Sequence, residues 1–577
     1  MPSSLSIRSG AALAAALVLA ATAATGCGGG DDGGGRSGAG ESADASSSGA
    51  PADSDDPSDG AERDPGPGAD RDEGDGGEGD GPTRRRTADL PDGLTGQKLD
   101  WSRCPAPDAA QGDQGGSPSP MPDGTVWECA TLKAPVDYSK PRGRTLGVEM
   151  IRAERHEGKK KSPRIGSLVF NFGGPGGSGV ASLPAFGQDY AALQRGYDLV
   201  SFDPRGVGRS EGVRCANGKK MDAYFAADWT PDTDEEEKRL FRRQDRFAEA
   251  CGKRTGKLLR HLTTANTARD MDLMREVLGD RKLHYFGISY GTELGGVYAH
   301  LFPEKVGRAV LDAVVDPTAT PEQGALSQAA GFQLALDNYL SQCARQGPDC
   351  PVGDDPEEAK RRITDLLAQL DAEPLITDGP RRLTESLAEG GIAQALYSEE
   401  MWDLLSQGLD EALHEDNGST LLLLSDSLNG RNPDGSYSTL QASLTAISCA
   451  DAKERYSADD IKARLPSFAE ASGVFGPMSA WGMAQCHGWP VKGRWKTPDV
   501  SAPGSAPILL VGTTGDPATP YAGTRRMKEG LGSGVGVELT YRGEGHGAYD
   551  SNNKCVRARV NGYLLKGKVP ADGTSCG

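Results

Sequence analysis

From residue 167 onward, short and largely apolar runs alternate with helical stretches. The runs are Ser167–Phe172, Tyr197–Phe202, His284–Ile288, Ala309–Val315, Pro507–Val511 and Val537–Tyr541. A strand apolar on both faces must be covered on both faces. The alternation therefore predicts an α/β fold, a mostly parallel sheet with helices on each side. The expected helices include Glu235–Cys251 and Asn266–Leu278, the latter with Met271, Met274 and Leu278 at helical spacing. Between Pro317 and about Pro503 the regular strands vanish. This stretch is largely helical, with a Leu421–Leu424 run and Pro/Gly breaks, and is expected to form a cap over the carboxyl edge of the sheet. The core is thus expected in two pieces, 96–317 and 501–577, with the cap 318–500 inserted before the last two strands.

The N-terminal part has another character. Arg8 precedes an uncharged, Ala-rich run from Ala11 to Thr25. That run is too short for a mature membrane span but suits a signal-peptide core, so 1–26 is expected to be removed. Ala24-Thr-Gly-Cys27 resembles a bacterial lipobox, which makes Cys27 the expected lipid attachment site and the lipid the sole membrane contact. Residues 28–83 hold 16 Asp/Glu against three Arg and almost no large apolar residue. Such a stretch cannot bury enough surface to offset chain entropy, so 27–95 reads as a disordered acidic tether. Residues 28–83 carry −13 of the formal −19, leaving −6 for the rest of the chain. That balance argues against a nucleic-acid partner, which would need a basic surface. Of eleven cysteines, ten remain after Cys27. An even number in an exported chain suits five disulfides, and pairing sequence neighbours (104–129, 215–251, 343–350, 449–486, 555–576) closes short local loops. No CxxC pair suggests a metal, and no cofactor is expected.

Gly287-Ile-Ser-Tyr-Gly291 matches the G-x-S-x-G nucleophile elbow. The same pattern surrounds Ser210 and Ser575. Only Ser289 has a strand before it and a helix, Thr292–Leu301, after it, so Ser289 is the expected nucleophile. A serine needs a base, and the base an orienting carboxylate. Of the seven histidines, four follow Ser289. His546 in Gly543-Glu-Gly-His-Gly547 lies in a flexible loop directly after the last strand, where a base can reach back over the sheet. Asp516 in Gly515-Asp-Pro517 ends the preceding strand and is the expected acid, with Asp316 as rival. The oxyanion needs two backbone donors. Tyr290 N–H, next to the nucleophile, should be one. Gly174, or else Gly173, in the Gly-rich turn after the first strand should be the other.

Asn171-Phe-Gly-Gly-Pro-Gly-Gly177, Asp203-Pro-Arg-Gly-Val-Gly-Arg-Ser210, Gly287-Ile-Ser-Tyr-Gly-Thr292, Gly515-Asp-Pro517 and Gly545-His546 occur in order. Together they resemble the α/β-hydrolase family of secreted bacterial tripeptidyl aminopeptidases, related to prolyl aminopeptidases. Cys449-Ala-Asp451 and Cys486-His-Gly-Trp-Pro490 resemble its C-terminal part. Phe172 departs from the His that prolyl aminopeptidases carry there. The resemblance implies an α/β-hydrolase fold and release of short peptides, tripeptides by the family's name, from free N-termini through an acyl-enzyme. A monomer acting on peptide substrates is expected. The alternative is a carboxylesterase acting on lipid or small acyl esters with the same triad. A non-catalytic binding lipoprotein would need neither elbow nor late His. An aminopeptidase needs a carboxylate for the substrate ammonium, and Glu399 and Glu400, with Asp410 and Glu411 nearby, are the cap candidates.

Overall fold

The computed structural model describes residues 90–112, 116–155 and 163–577. The expected signal segment, Cys27 and nearly all of the acidic tether lie outside these residues. The end of the tether does not, and here the expectation is corrected. Residues Asp92–Thr95 form one helical turn, and Leu94 is buried in the main core. The apolar side chains Leu90 and Leu94 give this stretch the surface that the acidic segment before it lacks.

Ten strands form one sheet among the described residues: β1 (Ser102–Arg103), β2 (Glu128–Pro135), β3 (Thr145–Ala153), β4 (Gly166–Asn171), β5 (Tyr197–Phe202), β6 (Leu283–Ile288), β7 (Val306–Asp312), β8 (Ile508–Gly515), β9 (Gly536–Glu544) and β10 (Thr574–Cys576). Their order is β1-β2-β3-β5-β4-β6-β7-β8-β9-β10. From β5 through β10 every pairing is parallel, while β1, β2 and β3 add an antiparallel edge. β4 and β5 are buried along their whole length, as strands covered on both faces must be. Parallel strands all point one way, so the turns after β4, β6, β7, β8 and β9 gather at one edge. The motifs singled out in the sequence follow these strands.

Helices α1 (Gly179–Ala185), α2 (Asp234–Thr255), α3 (Thr264–Val277), α4 (Tyr290–Leu301), α5 (Pro321–Ala344), α6 (Glu385–Leu396), α7 (Leu440–Asp451) and α8 (Lys554–Lys566) carry most of the remaining architecture. The region 318–500 is helical as expected, but it is not one unit. Residues 332–475 contribute a separate apolar cluster that includes Phe332, Leu336, Leu405 and Leu421. Ala442, Ala446, Ile447 and Cys449 of α7, with Trp489, belong instead to the main core. The cap touches the strand ends directly. A Cβ on Gly331 of α5 would lie 2.4 Å from Pro517 O, and one on Gly176 would lie 2.5 Å from Leu440 O.

The five disulfides are 104–129, 215–251, 343–350, 449–486 and 555–576. Each joins sequence neighbours, as loop closure suggested.

Candidate active site

Ser289 stands between β6 and α4 with φ 58° and ψ −127°, a conformation that side chains other than glycine rarely hold. The flanking glycines are a steric requirement. A Cβ on Gly287 would lie 2.3 Å from Gly291 O, and one on Gly291 would lie 2.5 Å from Asn171 O. Three hydrogen bonds brace the turn. Ser289 N–H donates to Asp312 O (3.1 Å), Thr292 Oγ1 to Ser289 O (2.7 Å) and Tyr285 Oη to Gly291 O (2.7 Å). The other two pattern matches have structural work. Ser210 is fully buried and accepts from Glu149 N–H at 2.8 Å. Ser575 lies on the edge strand β10 and accepts from Arg542 Nε at 3.1 Å.

β8 ends at Gly515, and Asp516 follows at once. His546 lies two residues beyond β9. Its Nδ1 is 2.8 and 3.0 Å from Asp516 Oδ1 and Oδ2, and both side chains are fully buried. The Asp516 carboxylate also accepts from Ala518 N–H (3.0 Å), Thr519 N–H (2.9 Å) and Thr519 Oγ1 (3.0 Å), so it has one orientation. With Nδ1–H donated to Asp516, a neutral ring keeps its lone pair on Nε2. That atom is buried and has no hydrogen-bond partner among the described residues. The histidine loop is pinned from two sides. His546 N–H donates to Tyr397 O of the cap (2.8 Å), and the Asp312 carboxylate accepts from Ala548 and Tyr549 N–H at 3.0 and 2.8 Å. Burial pushes Asp312 up to about 6, against these two donors. Asp316, the rival acid, makes no such contact. β7 stops at Asp312, and Asp316 Oδ1 accepts from its own loop, at Thr318 N–H (2.7 Å) and Thr318 Oγ1 (2.6 Å).

The Gly-rich turn presses on the elbow. A Cβ on Gly173 would sit 2.7 Å from Ile288 O and 2.9 Å from Ser289 Cβ, and its φ is +90°. Gly173 N–H donates to Asn171 Oδ1 at 3.1 Å. Gly174 N–H and Tyr290 N–H have no such acceptor among the described residues. Tyr290 opens α4, where helix N–H groups lack intrahelical partners and the dipole is positive. This arrangement can do acyl transfer: a hydroxyl on a strained backbone turn, a base with a free lone pair held by a buried carboxylate, and two donors for an oxyanion.

Two clefts share Pro175, Tyr290 and Glu293 in their walls. Thr519 lines the first, so that cleft opens beside the His546–Asp516 pair. Asp451 lines the second. The cap candidates stand elsewhere. Glu399 and Glu400 are exposed on a short 3-10 helix, Glu399–Met401, and line neither cleft. Asp410 pairs with His414 on the surface, and Glu411 holds Thr420 N–H. The expectation of a shielded carboxylate at 399–400 is therefore corrected, because that turn faces solvent. Glu293 was missed, although a lone acid in the otherwise apolar Tyr290–Leu301 helix is a signal. Among the described residues, the carboxylates of Asp228, Asp371 and Glu385 come within 4.8 Å of one another in an open setting, with no His or Cys, and line neither cleft.

Comparison with known proteins settles the family. Residues 166–351 match the model of the alpha/beta hydrolase fold, and residues 472–576 that of TAP-like protein. Serine protease Hip1 of Mycobacterium tuberculosis is 35% identical over 498 residues, covering 83% of this chain and 91% of that protein. The chain belongs to the tripeptidyl aminopeptidase family of α/β-hydrolases. Two further relatives of this α/β-hydrolase carry different names. Tripeptidyl aminopeptidase of Streptomyces lividans is 31% identical over 494 residues (83% and 86% covered), and Carboxylesterase B of M. tuberculosis is 36% identical over 461 residues (78% and 86% covered). Like the family, this TAP-like α/β-hydrolase is an enzyme, a serine hydrolase of the peptidase kind.

Proposed function

We propose that the enzyme is an exported, lipid-anchored serine exopeptidase that removes short peptides, tripeptides among them, from free N-termini. Ser289 attacks the scissile carbonyl while His546 Nε2 takes its proton. Asp516 holds the ring and offsets the imidazolium charge. Gly174 and Tyr290 N–H receive the oxyanion. As the tetrahedral species collapses, His546 gives that proton to the departing amine of the remaining peptide, and the neutral ring then activates the water that hydrolyses the acyl-enzyme. The observation that carries the chemistry is the fully buried His546–Asp516 pair beside the Ser289 elbow. The relatives named as a serine protease and a tripeptidyl aminopeptidase support a peptide substrate. The enzyme acts as a monomer, without metal, cofactor or nucleic acid.

Five disulfides fit an oxidising compartment, and no helix among the described residues is long and apolar enough to cross a membrane. In this reading Cys27 carries the lipid that holds the enzyme at the outer face of the cell membrane. Cys27→Ala should move it to the soluble fraction, and membrane retention of that variant would overturn the anchor.

The test of substrate class compares a tripeptide anilide with its N-acetylated form and with a simple ester. The free amine should be cleaved at least tenfold faster than the blocked form. The relative named Carboxylesterase B favours a second reading, an esterase with the same triad. Equal cleavage of free and blocked peptides with rapid ester turnover would select it.

A further inference from the structure

Glu293 lies on α4, one helical turn beyond Ser289, and α4 rises about 6 Å over those four residues. It is 94% buried, since only 6% of its surface is exposed. Its carboxylate has no hydrogen-bond or ion-pair partner among the described residues, yet the side chain lines both clefts. A buried carboxylate without a partner is costly and calls for an explanation. Here a second carboxylate stands close by. Asp451 lines the second cleft with Glu293, held by Thr264 N–H (3.1 Å) and Thr264 Oγ1 (2.7 Å), while Thr264 Oγ1 is also 2.6 Å from Tyr290 Oη. Two carboxyl groups thus share one cleft with Tyr290 and Pro175. The cation among the residues lining that cleft, Lys496, is exposed and makes no salt bridge with either carboxylate.

We propose that Glu293 and Asp451 together form a binding subsite for a primary ammonium of the substrate, the N-terminal amine of the peptide whose carbonyl lies over Ser289. This rests on the aminopeptidase reading and names the residues that would enforce it. Burial first, then the neighbouring Asp451, pushes Glu293 up to about 8, and burial pushes Asp451 up to about 7. An ammonium entering between them removes the repulsion and lets both carboxylates ionise, so the pair gains more from a cation than a solvated carboxylate would. The position also suits an exopeptidase. The subsite lies on the nucleophile's own helix, so a bound N-terminus sets how many residues reach back to the scissile bond.

The test is the ratio of kcat/KM for a free tripeptide anilide to that for its acetylated form, in the full-length enzyme. Losing a hydrogen bond to a charged partner should reduce this ratio about 10- to 100-fold in Glu293→Gln. Asp451→Asn should reduce it in the same direction, while the exposed Glu399→Gln keeps the wild-type ratio. Circular dichroism and melting temperature confirm folding of each variant. Glu293→Gln replaces a buried carboxyl that burial pushes up to about 8 with a neutral amide of the same shape, and should melt no lower than the wild type. If the wild type itself shows no preference for the free amine, the aminopeptidase reading fails. If the wild type discriminates but Glu293→Gln and Asp451→Asn both keep its ratio, that reading stands and this subsite is overturned. Acetylated peptides with lysine at each position form a further arm. Loss of a lysine preference alone in Glu293→Gln would show that the subsite takes a side-chain ammonium and would overturn the N-terminal assignment.

Discussion

Asp516 accepts four hydrogen bonds, three from its own loop and one from His546. An amide in its place could accept through one oxygen only, and its NH2 would face donors. Asp516→Asn should therefore unseat the imidazole or favour the wrong tautomer, and lower kcat by about 10³- to 10⁴-fold. Asp316→Asn should cost far less, because Asp316 bonds only Thr318. Steady-state kinetics of both variants checks this, and a larger loss at Asp316 would contradict the assignment. Arg205 shows the other use of a buried charge. Fully buried, it gives Asp270 two hydrogen bonds, at 2.7 and 2.6 Å, and three more to the carbonyls of Val136, His261 and Pro135. Asp203, two residues earlier, accepts from Ser178 and Gln111 side chains and from Val180 and Arg209 N–H. The Asp-Pro-Arg-Gly motif thus ties the loop after β5 to α3 and to the start of α1, and touches no reacting atom.

At the scale of elements, the parallel part of the sheet was legible because each strand is a short, largely apolar run. Tyr197–Phe202 matches β5 end to end. The largest shift was at the fourth run. It read as Ala309–Val315, but β7 is Val306–Asp312, because Ala313 turns the chain with φ 57°. That shift is why Asp316 looked like a strand-end acid and is not one. β2 and β3 went unread. β2 runs Glu-Cys-Ala-Thr-Leu-Lys-Ala-Pro with exposed Thr131 and Lys133, a half-solvated edge without the apolar signal of the interior strands. The triad candidates were legible because each follows a strand at the carboxyl edge. The choice between Gly173 and Gly174 was not, since it turns on which N–H the Asn171 side chain takes. Nor was the partnership of Glu293 with Asp451, which only the tertiary fold brings to one cleft.

For the molecule as a whole, buried carboxylates couple stability to pH. Burial raises Asp203 and Asp312 to about 6, Asp451 and Asp550 to about 7, and Glu293 to about 8. In the unfolded chain these groups ionise near pH 4. Between pH 4 and 8 the folded state therefore holds protons that the unfolded state has released, and stability falls as pH rises through this window. The melting temperature should be higher at pH 5 than at pH 8, with a flatter profile in Glu293→Gln, and a rising profile would contradict the burial argument. Five disulfides work against this loss, each closing a loop of 7 to 37 residues and worth about 2–4 kcal/mol in the chain-entropy account. One of them, Cys449–Cys486, begins two residues before Asp451 and ties the end of α7 to the chain near Trp489. The central claim is that all this architecture presents one nucleophile, Ser289, to one base, His546. The most direct measurement is labelling of the purified enzyme with a fluorophosphonate, followed by peptide mass mapping. The account predicts a single adduct on Ser289, absent in Ser289→Ala and slowed at least 10²-fold in His546→Ala. An adduct on another serine, or undiminished labelling of Ser289→Ala, would contradict it.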